Sequence, residues 1–64
     1  MYRINFFDAD DVLIATHVIV ADKFPLENKG IEKYCCVVSD TYPKVCRWMV
    51  YGFSGFPLFS GYRS

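Results

Sequence analysis

Sixty-four residues make one domain, and a chain of that size buries only about 60% of the surface its unfolded form exposes. Seven basic groups balance seven acidic ones, which argues against a protein that holds nucleic acid mainly by neutralising phosphates. Because 53% of the residues are hydrophobic and 19% aromatic, a load too large for so small a globule to hide, part of the apolar surface is expected to meet a partner.

The charges are unevenly placed. Residues 1–22 carry Asp8, Asp10, Asp11 and Asp22 against Arg3, whereas residues 23–64 carry six basic and three acidic groups. Cys35, Cys36 and Cys46 are odd in number and lack a CxxC spacing, so a reduced chain in the cytoplasm is expected. Neither a signal peptide nor a membrane span is expected, since no apolar run approaches the roughly 20 residues that cross a bilayer.

Tyr2 to Phe7 reads as a short strand, Asp8-Ala9-Asp10-Asp11 as a turn and Val12 to Ala21 as a β-branched strand, together a β-hairpin. Aspartates suit such a turn because their side chains bond nearby backbone amides. A calcium loop starting at Asp8 would need glycine at its sixth position and glutamate at its twelfth, where Leu13 and Ile19 stand. No cofactor is expected.

Residues 22–39 admit two readings. As a helix, Leu26, Gly30, Ile31, Tyr34, Cys35 and Val38 form one stripe, with Pro25 in the first turn and Asp22 as a cap. As β-structure, Asn28-Lys29-Gly30 is a turn and Ile31 to Ser39 a strand. The helix is preferred, because strand alternation would mix Ile31 with Lys33 and Glu32 with Tyr34.

Lys44 to Phe53 is β-branched and aromatic with a turn signal on each side, and reads as the central strand. Its alternation sends Cys46, Trp48 and Val50 one way and Val45, Arg47, Met49, Tyr51 and Phe53 the other. After a hairpin, a helix returns the chain so that this strand pairs antiparallel beside the first. The expected fold is α+β: a three-stranded antiparallel sheet, ββαβ in order 3-1-2, with one helix on one face and an aromatic C-terminal tail. A small all-β meander or barrel of four to five strands is the alternative.

The helix is expected to cover Ile4, Phe6, Ile14, Val18, Trp48 and Val50, leaving Phe7, Leu13, Ile19, Val45, Met49, Tyr51 and Phe53 without a cover. Residues 1–53 then form the domain and residues 54–64 the tail. With Gly55, Pro57 and Gly61, the tail breaks regular structure yet carries Phe56, Leu58, Phe59 and Tyr62. It is expected either to fold back over the uncovered sheet face or to dock on another molecule, and to be dispensable for folding.

Constellations for chemistry are thin. His17 is the sole histidine and reads as a structural strand residue. A zinc site of Cys35, Cys36, Cys46 and His17 matches no finger spacing. Phosphate-binding glycine loops and hydrolase elbows are absent from the sequence, so no catalytic residue and no enzymatic activity are expected. Trp48, Tyr51, Phe53, Phe56, Phe59 and Tyr62 with Arg47 and Arg63 are types that stack on single-stranded nucleic acid, but core packing is the preferred role of the strand aromatics.

A hairpin, then His17-Val18-Ile19-Val20-Ala21-Asp22, a helix through Ile31-Glu32-Lys33-Tyr34 and a strand from Val45 to Gly52 resemble, in size and element order, very small bacteriophage proteins. These are the T7-type inhibitors of host RNA polymerase and anti-CRISPR proteins. The resemblance implies a protein that occludes a surface of a host or defence protein in the host cytoplasm, often with acidic side chains, without catalysis. The expected partner-binding residues are Tyr51, Phe53, Phe56, Phe59 and Tyr62, with Asp8, Asp10 and Asp11 as a secondary acidic patch. A single-stranded nucleic-acid binder and a structural homodimer paired through the second sheet face are the alternatives.

Overall fold

The computed structural model describes residues 1–20, 28–52 and 55–63. Four strands and one helix follow in the order β1 (Tyr2–Phe7), β2 (Leu13–Ile19), α1 (Asn28–Thr41), β3 (Arg47–Tyr51) and β4 (Pro57–Tyr62). All strand pairs are antiparallel, and the sheet runs β2-β1-β3-β4. The expected order of the first three strands therefore holds, and residues 28–41 are the helix and not the rival strand. The sheet has four strands, not three, because residues 57–62 of the expected tail pair along β3 and become an edge.

The hairpin forms where the aspartates predict it. Asp8 Oδ1 accepts from the amides of Asp10 (2.8 Å) and Val12 (3.0 Å), and Asp11 sits at a φ of 61°, a left-handed conformation that aspartate tolerates better than most residues. In the helix, Ile31, Cys35 and Val38 recur at helical spacing and all are buried. They close over Ile4 and Phe6 of β1, Trp48 and Val50 of β3, and Val45.

Two expected faces are corrected. Val18 does not lie under the helix: Ile4 pairs with His17 and Phe6 with Ala15, so Ala15, His17 and Ile19 share the helix side and Val18 is 56% exposed on the other, while Ile14, 40% exposed, lines a groove together with Val38 of α1. Both parities of this strand are apolar, so the pattern cannot choose between them, and a shift of one residue exchanges the faces. Ile14 has no partner of its own, because Phe7 pairs with Leu13; it is the extra residue of a bulge. Val45, expected on the uncovered face, is 1% exposed and in the core. It precedes β3, in a turn where its amide bonds the Tyr42 carbonyl (3.0 Å), so strand alternation does not govern it.

β4 is a strand despite Pro57 and Gly61. Proline is tolerated at the first position of an edge strand, where its missing N–H breaks no ladder. A second bulge follows, since Val50 pairs with Phe59 and Tyr51 with Pro57, leaving Leu58 unpaired. Gly61 lies opposite Trp48, and a Cβ there would stand 2.7 Å from Trp48 Cε2. The glycine is thus the space the indole occupies. Arg63 then secures the end of the strand: its amide bonds the Cys46 carbonyl (2.8 Å), and its guanidinium donates to the carbonyls of Pro43 (2.7 Å) and Ser39. These carbonyls sit at the C-terminal end of α1, where a cation is favoured by the helix dipole and by the unpaired acceptors.

Candidate protein-binding sheet face

The strand register fixes what the face turned away from α1 displays. One row across the sheet holds Thr16, Asn5, Met49 and Ser60; a second holds Val18, Arg3, Tyr51 and Pro57; a third holds Leu13, Phe7, Arg47 and Tyr62. Among the described residues no element covers this face. Phe7, Met49 and Tyr51 are half-buried, while Leu13, Val18 and Tyr62 are exposed.

Polar contacts hold parts of the face in place. Thr16 Oγ1 donates to Asn5 Oδ1 (3.0 Å). Arg47 Nε donates to Asp11 Oδ1 (2.6 Å), and its guanidinium carbon lies 4.1 Å from the centre of the Phe7 ring. The hydrogen bond to Asp11, with its charge, holds the Arg47 guanidinium above its ordinary pKa. One corner of the sheet is therefore a pre-formed group of an aromatic ring, a cation and a carboxylate. At another corner Met1, Arg3, Val18, Gly52 and Gly55 line a shallow cleft of about 260 Å³.

The sequence-predicted contact residues divide. Tyr51 and Tyr62 lie on this face. Phe56 is 72% exposed in the β3–β4 turn, where Gly55 holds a φ of 78°. Phe59 is turned to the helix side and packs against the core, and Phe53 lies outside the described residues. Of the aspartates, Asp8 caps its own turn, Asp11 pairs with Arg47, and Asp10 is exposed. Phe7, Met49, Arg3 and Val18 were not among the predicted contacts. The signal for Phe7 and Met49 was their place among residues the helix could not cover; Val18 was hidden by the parity of β2.

His17 is on the opposite side, as a packing residue. Its Nδ1 is 2.7 Å from the Tyr34 hydroxyl, and its ring meets the edge of Phe6 at 5.0 Å between centroids. Cys35 is buried, and that burial, with Cys36 and Glu32 nearby, pushes its thiol up to about 12. It is inert as a nucleophile. Among the described residues, no three His, Cys, Asp or Glu side chains are grouped to hold a metal ion, and no helix is long and apolar enough to cross a membrane.

Compared with family models, with curated proteins and with solved structures, the chain matches none.

Proposed function

We propose that this is a non-enzymatic protein-binding inhibitor or adaptor that acts by occluding a surface of its partner, and that the sheet face opposite α1 is the contact. The partner class is a host or defence protein met in the cytoplasm, and the chain is of the kind encoded by bacteriophages or mobile elements. The observation that carries the reading is the set of apolar and aromatic side chains on one face that no element among the described residues covers: Phe7, Met49 and Tyr51 with Val18 and Tyr62. An uncovered apolar face with polar margins is the usual composition of a binding surface, and aromatic anchors near its centre carry most of the energy.

The test compares what the intact protein retains from a bacterial lysate with what two variants retain. Tyr51→Ala, in the row that Tyr51 shares with Val18, Arg3 and Pro57 at one end of the face, is expected to weaken retention by about 30-fold in Kd, the equivalent of roughly 2 kcal/mol. Val37→Lys, on the exposed side of α1 (56% exposed), is expected to leave it unchanged. Equal retention by Tyr51→Ala and the intact protein refutes the assignment.

One observation favours a second reading, a single-strand nucleic-acid binder: Phe7 and Tyr51 lie on the two central strands beside Arg47 and Arg3, a layout that suits base stacking. Titration with single strands at two salt concentrations separates the two, since a nucleic-acid complex weakens steeply as salt rises.

A further inference from the structure

The two edges of the sheet are built differently. Each edge carries a bulge, at Leu58 in β4 and at Ile14 in β2, but β4 also begins with Pro57 and contains Gly61, devices that blunt an edge against further pairing. β2 has no proline and no glycine, and the run from Val12 to Val20 contains no charged residue. Among the described residues β2 has β1 on one side and no strand on the other. Val12, Leu13, Ile14, Val18 and Val20 are each between 40% and 56% exposed. An apolar, charge-free edge of this length pairs readily with another strand.

We infer that β2 pairs with β2 of a second copy, antiparallel about a two-fold axis at Thr16, joining two sheets into one of eight strands. The axis follows from charge placement. The uncharged run Val12–Val20 overlaps its own copy completely only when Thr16 faces Thr16, with Ala15 opposite His17. Antiparallel pairing there also carries the acidic turns, Asp8 to Asp11, to opposite ends, roughly 30 Å apart at the strand rise of about 3.4 Å per residue. Parallel pairing would set them side by side.

The register sets a threonine pair at the axis, a combination that favours cross-strand contact. On the helix side, the second strand passes over a groove of about 510 Å³ lined by Ile14, Ala15, His17, Val38, Tyr42 and Lys44, which takes its apolar side chains. The two copies bury the same patch, as a two-fold interface requires. The dimer uses the edge of the sheet and leaves the face proposed for partner binding open, so it goes beyond that reading.

Sedimentation of the full chain tests it. The intact protein is expected to sediment at twice the chain mass at high micromolar concentration. Thr16→Lys and Thr16→Asp, each placing like charges opposite one another at the axis, are expected to sediment as folded monomers, with circular dichroism unchanged. An equimolar mixture of the two is expected to regain the dimer. Met49→Lys, in the middle of the open face, keeps the dimer. Should Thr16→Lys fail to fold, Val18→Lys serves in its place with the same expectation. A monomeric intact protein, a dimer that survives Thr16→Lys, or a dimer that Met49→Lys dissolves overturns the inference; the last result would mean that the copies meet face to face.

Discussion

Gly61→Ala gives the sharpest test of how this sheet is packed, because the sequence and the structure predict opposite signs. A glycine in a strand is ordinarily a weakness, and replacing it with alanine reduces the freedom of the unfolded chain, a gain of about 0.4–1 kcal/mol where the backbone permits. At position 61 the new Cβ would lie 2.7 Å from Trp48 Cε2 and 2.9 Å from Cζ2, with Nε1 closer still. Ordinary carbon contacts are about 3.5–4.0 Å, so the ring must retreat by roughly 1 Å. Trp48 is only 2% exposed and is in the core with Phe6, Val50 and the helix residues Ile31 and Cys35, so its retreat disturbs their packing unless the ring turns toward the cleft of about 210 Å³ that it lines with Cys36, Tyr62 and Arg63. Overpacking of this kind costs about 1–3 kcal/mol, and the balance is a destabilisation of about 1–2 kcal/mol. For a domain of this size that lowers the melting temperature by at least about 4 °C, readable by thermal denaturation followed through the single tryptophan. In a Trp48→Phe background the smaller ring withdraws from Gly61, and the alanine is expected to become neutral or favourable. A Gly61→Ala protein as stable as the original, or more so, would refute the packing described for β4 on β3.

Two further outcomes are expected. Arg63→Ala removes the donor to the Ser39 and Pro43 carbonyls and should lower stability by about 1–2 kcal/mol in urea titration, with Arg63→Lys recovering part of the loss; an unchanged midpoint would show that the helix end does not need this contact. Cys35 has a thiol pKa raised from 9.0 to about 12 by burial. In that interval the unfolded chain releases the proton and the folded one keeps it. Stability is therefore intact below pH 9 and falls as pH rises toward 12. Denaturation midpoints across this range should show a steeper decline for the intact protein than for Cys35→Ala. Under native conditions a thiol reagent should label exposed Cys36 first and leave Cys35 untouched.

Much of the fold was legible residue by residue. The aspartates at 8, 10 and 11 marked the hairpin turn, and Asp8 bonds the amides that such a turn leaves free. Ile31, Cys35 and Val38 marked the buried stripe of α1, and the passage from hairpin through helix to an antiparallel third strand followed from chain direction alone. The fourth strand was not legible. Pro57, Ser60 and Gly61 speak against a strand in any local reading, and what makes them one is remote: the free edge of β3, the indole of Trp48 lying against Gly61, and the helix end that binds Arg63. The candidate face was half legible for the same reason. Tyr51 and Met49 were assigned correctly because Trp48 and Val50 define the buried parity of their strand. Val18 was assigned to the wrong side because its strand is apolar in both parities, and Phe59 was offered as a contact although Val50 draws it to the helix side.

The sequence by itself determined the local conformations, the helix stripe, the order of the first three strands and the surplus of apolar surface, since each depends on residue type at short separation. Only the tertiary structure decided the register of β2, the recruitment of residues 57–62 into the sheet, and hence which apolar residues stand open. Those choices are made by pairings between residues far apart in the chain, Ile4 with His17 and Trp48 with Gly61, whose competing alternatives look equally acceptable until the whole core is closed.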